Sequence, residues 1–165
     1  MVADLPFSIL IWGGLLSAAM SALILFLLWY RPRSLLHQFP ATLQARVPPK
    51  TADEKRVASL SIAVSLLLVL GLPIAVSLSL EHGPVEAFLH AAGMLLVLQV
   101  VDLVLLDWLL LCTITPDFVT IPGTKGAPEY KDYRHHAIGF ARGMVLVLLA
   151  ALLTALASFV AGYLV

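Results

Sequence analysis

The 165-residue chain is 61% hydrophobic and 12% charged, with a mean hydropathy of +0.99. Soluble domains average about 45–50% apolar and about 25% charged, so an ordinary soluble globule is excluded. The formal net charge is zero, and the basic residues lack the aromatic-plus-basic layout of a nucleic-acid binder; no nucleic-acid partner is expected.

The apolar residues fall into four long blocks, each near or above the roughly 20 residues that an α-helix needs to cross a bilayer. The segments of about 10 alternating residues that mark a membrane β-barrel are absent. Helices satisfy their own backbone hydrogen bonds in lipid, so the fold expected is an all-α, four-helix membrane bundle forming a single domain. All ten Lys and Arg lie in two segments. Arg31, Arg33, Arg46, Lys50, Lys55 and Arg56 follow the first block, and Lys125, Lys131, Arg134 and Arg142 follow the third. The positive-inside rule then puts both loops in the cytosol and both termini outside. The location expected is a bacterial plasma (inner) membrane, with the lipid bilayer itself as the first partner.

The first helix is expected over about 6–30. Pro6 suits an early helical position, and Trp29-Tyr30 before Arg31 form an interfacial belt. Asp4 replaces the basic n-region of a signal peptide, so the helix is expected to be retained. Gly13, Ser17 and Ser21 recur every fourth residue, as do Gly14, Ala18 and Ala22. Such faces allow close helix approach. Packing within the bundle is preferred over a dimer interface, although a homo-oligomer or a larger membrane complex is compatible with them. The loop 31–51 holds a short interfacial turn, Ser34–Phe39, and a lone His37 expected to be solvated. Pro40, Pro48 and Pro49 limit any longer element.

Thr51 and Glu54 form a capping box, which starts the second helix, 52–80. Gly71 and Pro73 predict a kink near its middle. Glu81–Pro84 is a tight turn. Pro84 opens the third helix, 84–113, with Glu86 at its electropositive end. Glu86 and His90 share a face, and with His82 they are a weak outer metal candidate; a dipole-stabilised Glu86 bonded to His90 is the preferred alternative.

Gln99 and Asp102 share a face near the midplane. A charged carboxylate there costs at least about 2.5–3.5 kcal/mol on insertion scales, so Asp102 is expected to face the bundle. Asp107 lies near the cytosolic interface. The single cysteine, Cys112, excludes an intrachain disulfide. In the loop 114–127, Phe118–Ile121 reads as an extended piece and Pro122-Gly123 as a type II turn. The fourth helix is expected over 128–164. Within it, Asp132 would share a face with His135 and His136, a spacing compatible with metal binding or acid/base work but not diagnostic of either. No other cofactor is indicated.

Consecutive antiparallel helices are expected neighbours, which predicts an Asp107–Arg142 ion pair. Three functions are compatible with this pattern. One is ligand or ion binding at a cytosol-facing polar site between helices 3 and 4, centred on Gln99 and Asp102. Another is a scaffold subunit. The alternative is an integral-membrane enzyme acting at the cytosolic interface on a lipid-soluble substrate, with a metal as one means. Binding or scaffolding is preferred, because no phosphate-cradling loop or zinc-protease motif is present. A continuous proton path through one protomer is disfavoured, since Glu86 and His90 fall on another face.

Overall fold

A computed structural model describes residues 4–164. Four long helices form an antiparallel bundle: α1 Leu5–Tyr30, α2 Ala52–Ser79, α3 Pro84–Ile114 and α4 Tyr133–Leu164. Among the described residues there is no strand. Each helix is long and apolar enough to cross a membrane. Only 17–28% of the most apolar window of each is buried inside the bundle. An apolar exterior on this scale is tolerated by lipid, not by water.

The third helix is the centre of the bundle, packing against both α1 and α4. Glycine permits the first contact. A Cβ on Gly13 would come 2.9 Å from Val97 Cβ and 3.1 Å from the Met94 carbonyl oxygen, whereas nothing lies within 4 Å of one on Gly14. Gly13 and Ser17 are therefore the buried face, and Gly14, Ala18 and Ala22 look outward. Ser17 donates to the Gly13 carbonyl at 2.7 Å, which satisfies its hydroxyl within its own helix. At the second contact the Gln99 amide lies directly against Gly143, in the space that any larger residue would fill.

The capping box opens α2: the Thr51 N–H donates to Glu54 Oε2 at 2.8 Å, and the Glu54 N–H to Thr51 Oγ1 at 3.3 Å. The disturbance expected near Gly71 and Pro73 takes the form of a π-helical turn, Leu67–Gly71, which ends two residues before Pro73. Proline removes a backbone donor and crowds the preceding turn; widening that turn accommodates both effects. Beyond it, Leu72–Ser79 packs on α3 and α4. Before it, Ala52–Leu66 leans on the loop turn Pro32–Gln38 rather than on the other long helices.

The third helix also changes winding, from α over Pro84–Val101 to π over Asp102–Ile114. Thr113 Oγ1 donates back five residues to the Trp108 carbonyl at 2.7 Å, and the Thr115 N–H to Leu110 at 2.8 Å. Thr115 ends the helix in the left-handed region, φ 49°. Lys131 Nζ donates to the Thr113 carbonyl and to Thr115 Oγ1, both at 2.9 Å. A cation there caps the electronegative helix end.

The two basic loops fold into one cap. Leu35, Leu36, Phe39 and Leu43 from the first pack with Val119, Ile121 and Tyr130 from the second, over Leu27, Leu28 and Leu111. Phe118–Ile121 is not extended as expected. Asp117–Val119 forms a 3₁₀ turn that turns Val119 inward, and Ile121 is buried beside it. Tyr130 holds the loop, accepting from the Ile121 N–H at 2.7 Å and lying 2.7 Å from Thr124 Oγ1. Gly123 has φ +88° and Thr124 N–H donates to Ile121 at 3.0 Å, the geometry of a type II turn. Arg46 and Glu129 join the two loops at 2.6 Å.

Candidate functional site

The π-winding of α3 shapes the site. In an α-helix of 3.6 residues per turn, residues five apart point about 140° from one another. A π-turn hydrogen-bonds residue i to i+5, and its wider winding turns Asp107 toward the face of Asp102. Both carboxylates line a cavity of about 440 Å³ at the loop end of the α3–α4 contact. Its walls also carry Gln99, His135, His136 and Arg142, with His37 and Gln38 from the first loop.

Asp107 pairs with His136, not with Arg142 as expected. The His136 Nδ1 lies 3.0 Å from Asp107 Oδ1, and both side chains are largely withdrawn from solvent. His136 and Arg142 are six residues apart, which turns them about 120° from each other on an α-helix. One face of α4 can meet Asp107, and it is the face of buried His136; Arg142 is exposed on the cavity side. Among the described residues no acid lies within ion-pair distance of Arg142.

Asp132, His135 and His136 do not converge. Asp132 lies just before α4, where its Oδ1 accepts from the His135 N–H at 2.9 Å. That is helix capping, and it removes Asp132 from the face it would share within a helix. The helix itself begins at Tyr133, after a 3₁₀ turn over Pro128–Lys131. His135 Nε2 lies 3.0 Å from the Gln38 carbonyl, while His136 serves Asp107. Among the described residues no three His, Cys, Asp or Glu side chains gather around a point that a metal could occupy. The same holds at the opposite end of the bundle. There His90 is fully buried, with Nε2 2.9 Å from Ser8 Oγ and its ring edge-on to His82 at 5.0 Å. The partner of His90 is thus Ser8 of α1 rather than Glu86.

His37 is not solvated in isolation: it lines the cavity, and its Nδ1 lies 3.4 Å from Lys50 Nζ. Burial, and then the Lys50 charge, hold its pKa below the ordinary histidine value. Burial lowers Lys50 too, against the pull of Glu54, and its ammonium donates to the Ser34 carbonyl at 2.6 Å. No spacing in the sequence ties His37 or Gln38 to α3. The cap alone brings them there.

A second cavity, of about 400 Å³, adjoins the first. It fills the gap left where Ala52–Leu66 stands off the bundle, and its walls are mostly apolar side chains from all four helices, among them Leu27, Leu66, Leu98 and Leu146. Four residues line both cavities: His37, Gln38, Gln99 and Asp102. Each volume falls within the roughly 300–1,000 Å³ of small-molecule sites.

Protein-family models, curated proteins and solved structures were each compared with the chain, and none matches. Fold and site define a class: a helical membrane protein with four apolar helices and a polar cavity at the basic-loop end of its bundle.

Proposed function

We propose that the protein crosses a bacterial plasma membrane four times, with its basic loops in the cytosol and both termini outside, and binds a small ligand between α3 and α4. The confinement of all ten Lys and Arg to residues 31–56 and 125–142 supports the orientation. One observation carries the binding reading. Asp102 stands at the joint of two ligand-sized cavities and, among the described residues, has no hydrogen-bond or ion-pair partner. A scaffold does not require a costly intramembrane carboxylate facing open space.

The test is solvent extraction and mass spectrometry of the purified protein. A small molecule enriched over bilayer lipid in the wild type, and depleted in Asp102→Asn and in Ser65→Phe, supports binding. Identical extracts from all three proteins contradict it and favour a scaffold.

The Asp107–His136 contact favours a second reading, an enzyme acting on a lipid-soluble substrate. A carboxylate on Nδ1 orients an imidazole as it does in general-base catalysis. Loss of turnover of the extracted molecule in Asp107→Asn, with binding retained, would select this reading.

A further inference from the structure

We infer that the ligand is a cationic amphiphile, an aliphatic chain ending in an amine, with the ammonium against Asp102 and the chain in the apolar cavity. This rests on the binding reading above and adds the ligand's chemical class.

The two cavities share one wall. Of its residues His37, Gln38, Gln99 and Asp102, the aspartate alone carries a charge by nature. Burial and Lys50 disfavour the charged form of His37. Gln38 and Gln99 offer neutral amides. The groups that could neutralise Asp102 from within the protein are engaged or absent from the joint. His136 is held by Asp107, His135 by the Gln38 carbonyl, and Arg142 lines the polar cavity but not the apolar one.

A head group at the joint therefore meets a carboxylate and neutral hydrogen-bonding groups. An anionic head at the joint would face Asp102, and Arg142, which lines only the polar cavity, would offset that repulsion only for a head lying beyond the joint. A neutral head would leave the carboxylate uncompensated in a poorly solvated place, which costs free energy. An ammonium compensates it and satisfies its remaining protons on Gln99 and Gln38.

The tail has a matching space on one side only. The loop half of α2, Ala52–Leu66, stands away from α3 and α4, and Ser65 and Leu66 line the opening together with Leu98, Leu146 and Val147. A chain lying there replaces lipid contact with protein contact, while its head lies at the joint.

The experiment compares dodecylamine, dodecanol and dodecanoate, which share one tail, in binding to the intact protein in nanodiscs of zwitterionic lipid. Signal from empty nanodiscs is subtracted. Dodecylamine is expected to bind at least tenfold more tightly than dodecanol, and dodecanoate more weakly than either. Asp102→Asn should remove the tenfold preference of the amine over the alcohol, and Asp102→Glu should restore it. Ser65→Phe, which fills the apolar cavity from an exposed part of α2, should weaken both. Equal binding of amine and alcohol, or tightest binding of dodecanoate, overturns the cationic class but leaves the binding site standing if Ser65→Phe still weakens them. Failure of all three to bind above empty nanodiscs overturns both. Variants are scored only when far-UV circular dichroism and a monodisperse elution match the wild type; should Asp102→Asn fail this check, the ranking of the three ligands on wild type decides.

Discussion

Two adjacent glycines separate the two uses open to the small-residue faces of α1. In Gly13→Ala the added methyl would meet the Met94 carbonyl oxygen at 3.1 Å and Met94 Cα at 3.2 Å, besides Val97 Cβ at 2.9 Å. Two of these are backbone atoms of α3 and cannot rotate away, so α1 and α3 must separate. Overpacking of this kind costs about 1–3 kcal/mol. Gly→Ala in a helix returns about 1 kcal/mol, leaving Gly13→Ala less stable by up to roughly 2 kcal/mol. Gly14→Ala has the same helix gain with no contact to disturb, so it should be neutral or slightly stabilising. The propensity effect cancels in the difference between the two variants, which isolates the clash at about 1–3 kcal/mol. Unfolding in mixed micelles of dodecyl maltoside and SDS, followed by far-UV circular dichroism, measures both. A neutral Gly13→Ala together with a destabilising, monomerising Gly14→Ala would refute the packing and make the outward face a dimer interface.

The remaining predictions concern the loop end. A double-mutant cycle on Asp107→Asn and His136→Gln should give a coupling of about 0.5–3 kcal/mol, because the pair is close and largely withdrawn from solvent; additive effects would place the two side chains apart. Replacing Arg142 by Gln should couple to Asp107→Asn by less than about 0.5 kcal/mol, and a larger value would restore the pair expected from the sequence. Tyr130→Phe leaves the Ile121 N–H without its acceptor and should cost about 1–3 kcal/mol. That appears as faster proteolysis of the loop 115–132, and unchanged cleavage would contradict it. His37 should titrate below the ordinary value of about 6.5. With a depressed folded-state pKa, its neutral form stabilises the cap above the unfolded pKa, and stability falls as pH drops through the folded one. Histidine NMR should give a low midpoint that rises in Lys50→Met; a midpoint at or above the unfolded value would contradict the burial of this ring.

Much of the scaffold was legible because its causes are local. Block length and hydropathy announced the four helices, Thr51 and Glu54 the capping box, and Pro122-Gly123 the turn. The site was legible only in outline. Gln99, Asp102, Asp107, His135, His136 and Arg142 were marked by their cost or their position, and all line one cavity. Their pairing was not. A phase drawn at 3.6 residues per turn cannot anticipate thirteen residues of π-winding from Asp102 to Ile114, and that winding decides which side chains Asp107 stands beside. Asp132 was misplaced for a related reason, since a helix drawn from Pro128 turns a cap into a face residue. The part played by His37 and Gln38 depends on contacts between two loops far apart in the chain, which leave no periodic trace.

The polar cavity at the basic-loop end reaches Asp102. Leu103 lines that cavity, and the one native cysteine, Cys112, is fully buried. In a Cys112→Ser background, a cysteine introduced for Leu103 should react with a charged, membrane-impermeant thiol reagent. The reaction should occur only from the side on which a cysteine introduced for exposed Lys125 reacts, and the membrane should remain intact. Lack of reaction from that side, or reaction from the opposite side, would contradict the cavity.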